Sequence, residues 1–448
     1  MLLPTTYYFA GGAFAVIATF AILAKVPTDE IERTVALRRV LFRTGGTRWE
    51  TARLLVSMLA FLCWGLLVVA GLIGSRDPLA NPLPTVFWSV WWVGFTLLQA
   101  AFGDMWSWLN PWHAPLGLVR LITGRRLAGR ALIPLPAKLG YWPSIVIFFA
   151  FAWFELISLA PSDPTQLAEI IAFYWCFVLV AMILFGSTWA STAEPFSVFF
   201  GLIAAIAPVQ VESTQTGFRS RYVTIGWPGR ALVDRPALPF SGVLFVLLAL
   251  ASVSFDGLSR TFLWLASIGI NPLEFPGRSG VVVANTLGLL GTFGALAGMF
   301  FVSVHVGCML AGSVGSRSCA AGRLVYSIIP ISIGFHAAHY LTSLMLDGQF
   351  AVVSLSDPYA RGWDLLHVGS FRPTASFFNN IHDVTMIWNF QALIICSAHV
   401  VGIILAHSIA ARLFGTGRTA TISQCALATL MVFYTVFGLW LLSTPTGA

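Results

Sequence analysis

The chain has 448 residues, is 57% hydrophobic and carries only 10% charged side chains, where a soluble domain carries about 25%. Such a chain is built to meet lipid, which excludes an ordinary soluble enzyme. It points to an all-α, polytopic transmembrane helix bundle whose first partner is the lipid bilayer. The net charge of +7 would suit a nucleic-acid ligand, but its distribution along the chain is that of a membrane topology signal, and no nucleic-acid partner is expected.

In chain order, the apolar runs predict about ten membrane-spanning helices. They cover 5–25, 52–74, 84–103, 141–160, 167–188, 238–256, 280–310, 322–346, 383–411 and 421–443. The first run has no Lys or Arg before it and is followed by Lys25, the reverse of a cleavable signal, so it reads as a retained helix. Two shorter pieces, 105–122 and 194–208, are broken by Pro111 and Pro115 or bracketed by Pro195 and Pro208. They read as interfacial or re-entrant. Trp88, Trp91, Trp92, Trp106, Trp108 and Trp112 cluster where an interfacial aromatic belt would lie. The seventh helix carries Gly288, Gly291, Gly294 and Gly298, a small-residue stripe suited to close helix packing. No repeat or linker divides the chain, so one membrane domain, 1–448, is expected.

The basic residues set the orientation. They concentrate in alternate loops: Lys25 to Arg53, then Arg120, Arg125, Arg126, Arg130 and Lys138, then Arg219, Arg221, Arg230 and Arg235, then Arg317 with Arg323 and Arg412 with Arg418. The intervening loops hold only Arg76, Arg260, Arg278, Arg361 and Arg372. This asymmetry places the first set in the cytoplasm and both termini outside. The six cysteines lie in apolar runs or near their cytoplasmic ends and form no CxxC, which disfavours a disulfide framework or a thiolate metal site.

Ionisable groups inside a bilayer cost at least ~2.5 kcal/mol each at its centre, so those present need a reason. In the eighth helix, His336 and His339 lie about 60° apart on one face. Asp347 returns to within about 20° of that line, about 16 Å further out. Two readings stand side by side: histidines that hydrogen-bond neighbouring helices, worth ~0.6 kcal/mol each, or ligands of a divalent metal or a haem. In the ninth helix, His399 is level with His336 and could complete such a site, while His407 reads as interfacial and Asp383 stands at the outer end. Asp256, where the sixth helix exits, could be a metal ligand or a general base, or simply the partner of Arg260 four residues on. His305 lies near the cytoplasmic end of the seventh helix. Glu155 and Glu194 are isolated acids that read as structural or interfacial, with a proton relay as the alternative.

Several segments together resemble the polytopic bacterial membrane proteins known as fenitrothion hydrolase-like. They are Gly103-Asp104-Met105-Trp106 with Leu109-Asn110-Pro111-Trp112, Glu194 to Gly201, Phe255 to Thr261, and His336 to Tyr340 leading to Ser356-Asp357-Pro358. Ile387-Trp388 with Gln391, His399 to Gly402 and Leu405-Ala406-His407 complete the set. The chain departs from the pattern at Ser408-Ile409, where an acidic and then a basic residue would be expected. The resemblance implies the bacterial cytoplasmic (inner) membrane and hydrolysis of a phosphotriester P–O–aryl bond in a small apolar substrate. For that chemistry the expected metal ligands are His336, His339, His399, Asp256 and Asp347, with Asp256 and Asp383 as catalytic carboxylates. A transporter or channel for a small or metal-ion solute, and a haem- or copper-binding subunit needing a second membrane subunit or a homo-oligomer, are the alternatives.

Overall fold

Hydrocarbon offers no partner for a main-chain N–H or C=O, so each apolar run closes its own hydrogen bonds as a helix. The computed structural model describes residues 5–45, 47–122, 131–213, 220–271, 273, 277–312, 317–369, 371–415 and 417–444. Arg125, Arg126, Arg130 and Arg219 therefore lie outside the described residues. Ten principal helices follow one another at the predicted places. They are Thr5–Leu23, Thr47–Ile73, Pro82–Phe102, Trp142–Leu156, Pro164–Phe185, Phe240–Ser259, Arg278–Leu310, Arg317–Ser356, Ile381–Phe414 and Cys425–Ser443. Among the described residues, nine helices are long and apolar enough to cross a membrane. The chain is a multi-pass membrane protein. Leu55, Leu59, Leu62 and Leu66 of the second helix each stay more than half exposed, as side chains facing lipid would.

Two helices differ in length from the expectation. The fourth stops at Leu156 after 15 residues, about 22 Å of rise, because the chain turns through Pro161 into the Asp163 cap of the fifth helix. The eighth continues ten residues beyond 346, to Ser356. Gln349 stays in register there, its amide bonding back to Met345 O at 2.8 Å, and the helix ends at Asp357, before Pro358.

Both interrupted segments are built from Pro and a side-chain cap. The first divides into Trp106–Leu109 and His113–Ile122 around Asn110-Pro111. The second, Pro195–Ala204, is buried along most of its length. Its phenylalanines enter the bundle against the tryptophans: Phe196 lies 4.8 Å from Trp91, and Phe200 5.0 Å from Trp106, between ring centroids. Trp92, Trp106 and Trp112 are therefore at most 5% exposed, and this cluster is an internal aromatic layer rather than an interfacial belt. The glycine stripe also departs from its expected role. A Cβ at Gly291, Gly294 or Gly298 would meet nothing within 4 Å, and only Gly288 packs closely, against Phe255 and Trp264. The other three face away from the bundle. Close helix contact occurs instead at Gly334 against Ala398 and Gly438 against Phe335, which draws the eighth, ninth and tenth helices together.

A small antiparallel sheet, not anticipated from the sequence, joins two basic loops. Its strands are β1 (Arg38–Gly45), β2 (Val209–Ser213) and β3 (Ser220–Gly226), in the order β1-β3-β2. Glu212 pairs with both Arg38 and Arg230, and Arg221 pairs with Glu50 at 3.3 Å. Arg53 donates to Ser107 O at 2.6 Å, Arg323 to Val233 O at 2.8 Å and Arg412 to Asp234 at 2.6 Å. All five basic segments meet at one end of the bundle.

At the other end, the eighth helix leads into a turn organised by Asp364. Its carboxylate accepts from Ser356 Oγ (2.9 Å), Val368 N (2.8 Å) and Gly369 N (3.0 Å). These donors, Ser356 first, hold it below the usual carboxylate range. A depressed folded-state value stabilises the turn above the unfolded carboxylate value of about 3.9 and is lost as pH falls through the folded value. Asp364→Asn should therefore speed amide exchange at Val368 and Gly369 at neutral pH. The wild type should show the same acceleration only on acidification below the ordinary Asp range.

Candidate functional site

The sixth helix carries Asp256 one turn before its end, with its side chain 2% exposed. A buried carboxylate requires partners, and Asp256 divides its two oxygens between two. Oδ1 accepts from Arg260 Nε and Nη2 at 3.1 and 3.0 Å, one helical turn on. Oδ2 accepts from His339 Nε2 at 2.7 Å across to the eighth helix. Because an ionised carboxylate can only accept, the imidazole proton sits on Nε2 and Nδ1 is left as the basic nitrogen. That nitrogen faces Gly257, 3.7 Å from where a Cβ would stand. The His339 side chain is 24% exposed and that of Arg260 56%, so the pair opens outward rather than being sealed.

A second layer continues into the bundle. Tyr340 follows His339 and donates to Glu155 Oε1 at 3.0 Å, its hydroxyl also facing Asp256. Glu155 accepts a further bond from Trp92 Nε1 at 3.0 Å. Arg278 closes the end of the fourth helix, bonding Glu155 O and Ser158 O at 2.9 Å each. Trp92 lies in a π-helical stretch, Val86–Phe95, a wide turn often found at functional sites. Its carbonyl accepts both Thr96 Oγ1 (2.6 Å) and His336 Nε2 (3.1 Å). Glu155, His336, Tyr340, Ser252 and Ser332 line a cavity of about 10 Å³, close to the space of one water and rich in the polar partners a water needs.

Of the residues expected to gather here, only Asp256 and His339 share a hydrogen bond. His336 is 4% exposed and is bound to the Trp92 carbonyl. His399 is fully buried, with Nδ1 on Ile395 O of its own helix at 2.9 Å and its ring against Phe335. Asp347 and Asp383 are half-buried and make no ion pair with the described residues. Among the described residues, no group of three or more His, Cys, Asp or Glu is placed to hold a metal ion. Among the described residues, His336 bonds the Trp92 carbonyl, His339 bonds Asp256, and His399 bonds Ile395 O through Nδ1 while its buried Nε2 finds no partner, so His336, His339, His399, Asp256 and Asp347 are not grouped in one place.

His407 is buried at 2% exposure, beside Gln424 Nε2 at 3.2 Å. Glu194 is fully buried and caps Pro195–Ala204, accepting Phe196 N and Ser197 N at 3.0 and 2.6 Å together with the Tyr174 hydroxyl. Glu155, read as an isolated acid, belongs to the site. So do Tyr340, Arg278 and Trp92, which sequence reasoning did not select. Only Tyr340, adjoining His339 in a polar run, carried a local signal. One aromatic layer away, a cavity of about 460 Å³ is walled by Trp64, Phe87, Trp91, Trp112, Phe151 and Phe196 among others. Phe151 stacks edge-on to Trp92 at 4.7 Å.

Removing Asp256 leaves both Arg260 and His339 without their acceptor. With Arg260 more than half exposed, Asp256→Ala should cost about 1–3 kcal/mol, less than for a sealed pair. Thermal unfolding in detergent measures this, and Asp256→Asn should lose less because it keeps an acceptor oxygen. No protein-family model, curated protein or solved structure matches the chain.

Proposed function

We propose that the chain is a membrane-embedded hydrolase of the bacterial cytoplasmic membrane, with His339 as its general base. The observation that carries this reading is the 2.7 Å bond from His339 Nε2 to buried Asp256, beside a guanidinium and open to the outside. It fits the phosphotriester chemistry that the family resemblance implies. Asp256 holds the ring in one tautomer and offsets the charge of the imidazolium that forms. Nδ1 takes a proton from water, the hydroxide oxygen attacks phosphorus, the P–O–aryl bond breaks, and the imidazolium returns its proton to the departing aryloxide. Arg260, with more than half its side chain exposed, supplies the positive charge for the phosphoryl oxygen as negative charge builds there. The products are a dialkyl phosphate and a phenol, and no step runs through a metal.

The basic end is proposed to face the cytoplasm, following the charge asymmetry. The Asp256 end of the sixth helix lies away from it, so the site opens toward the outer half of the membrane. An apolar aryl ester would reach that depth by partitioning into lipid.

A second reading, proton-coupled transport of a small solute, has its own supporting observation. Tyr340 links Glu155 to the Asp256 pair beside a polar cavity of about 10 Å³, and the half-helix Pro195–Ala204 ends inside the bundle. Broken helices and buried acids of this kind are common in transporters.

Nitrophenolate release from a nitroaryl phosphotriester, followed by absorbance on detergent-purified protein, tests the first reading. His339→Gln and Asp256→Asn should each lower kcat about 100-fold or more, the usual contribution of a general base, with little change in KM. Wild-type turnover no greater than that of His339→Gln discards the hydrolase. Glu155→Gln should abolish substrate-dependent proton uptake into proteoliposomes if transport is the activity, and should leave nitrophenolate release within about tenfold if hydrolysis is.

A further inference from the structure

At the basic end, a polar cavity of about 530 Å³ lies between the start of the second helix, the Trp106–Leu109 turn, the end of the re-entrant helix and strands β2 and β3. Its volume falls within the ordinary range of ligand sites, roughly 300–1,000 Å³. Arg53, Arg221 and Arg235 line it, against a single lining carboxylate, Asp104, which already accepts from Ser107 N at 3.0 Å. Arg53 is fixed by Ser107 O at 2.6 Å and by His113 Nε2 at 3.0 Å, and Arg221 leans on Glu50 at 3.3 Å. Arg235 bonds the Gly201 carbonyl through one nitrogen at 2.9 Å and has no acidic partner among the described residues. Trp49 also lines the cavity. Its indole Nε1 is buried and finds no acceptor among the described residues, while its ring is held edge-on to Trp108 at 4.4 Å.

We infer that this cavity binds a phosphate-bearing anion. Planar guanidinium forks match phosphate oxygens in pairs, and three of them line this cavity against one carboxylate. The cavity lies one turn before the apolar run that begins at Leu54, where a spanning helix would enter the headgroup region. The same chemistry serves the phosphate of an anionic phospholipid or that of a soluble phosphorylated metabolite. The binding is independent of the hydrolase reading, since the residues lie at the end of the bundle away from Asp256. It also accounts for the sheet, which brings Gln210, Val211 and Arg221 from distant positions to the wall.

The test uses delipidated full-length protein in maltoside micelles, with saturable change in thermal unfolding as the readout. The probes are phosphatidylglycerol, diacylglycerol as the phosphate-free lipid, and soluble glycerol phosphate. Saturation by phosphatidylglycerol but not diacylglycerol or glycerol phosphate identifies a lipid headgroup site. Saturation by glycerol phosphate identifies a soluble ligand. In either case Arg235→Gln should weaken binding about tenfold or more, the worth of a charge-assisted bond. Arg221→Gln, which removes a second lining guanidinium, should weaken it by a smaller factor and serves if Arg235→Gln does not fold. Absence of saturation by either phosphate probe, or affinities unchanged in the folded variants, overturns the proposal.

Discussion

The buried carboxylate of Asp256 is the contact on which the candidate site depends. One oxygen is tied to Arg260 on its own helix and the other to His339 on the eighth. A carboxylate in this position would be costly without both partners. Satisfying it fixes the register of the sixth helix against the eighth and the tautomer of His339 together. Tyr340 then falls between Asp256 and Glu155, and Glu155 in turn receives Trp92. A polar chain linking four helices follows from one shared anion.

The surrounding bundle is held by different means. Lipid supplies no hydrophobic drive between helices, so close packing and hydrogen bonds have to do that work. Gly334 against Ala398 and Gly438 against Phe335 bring the eighth helix between the ninth and tenth. The half-helix Pro195–Ala204 has no lipid-facing role. Its cap is the buried Glu194, and its phenylalanines complete an aromatic layer with Trp91, Trp92 and Trp106. That layer separates the apolar cavity from the polar chain, so Trp92 faces aromatic carbon on one side and Glu155 on the other.

Charge is divided between the two ends in a way that serves two tasks. At one end, arginines from three loops are cross-linked by Glu212, Glu50 and Asp234 into a cap built on a three-stranded sheet. At the other, Arg260 and Arg278 attend only the buried acids and the main chain of the fourth helix. The first set lines a polar cavity. The second neutralises the site.

Composition and apolar run length alone determined that this chain is a bundle of about ten helices, because in lipid each span must satisfy its own backbone. Asp256 and His339 were also legible as candidates, since ionisable groups in apolar helices stand out individually. What sequence could not show was that these two meet, 83 residues apart, while His399, only a turn or two from the same level, turns to its own helix. Side-chain partnership across helices depends on rotation and close approach, which glycine contacts and a π-helical turn decide locally. The small sheet was missed for a related reason: its three strands are short, and β1 and β2 find their backbone partners only in β3. Tertiary structure alone decided which polar groups are paired and which remain open, because in a low-dielectric bundle each pairing excludes the next.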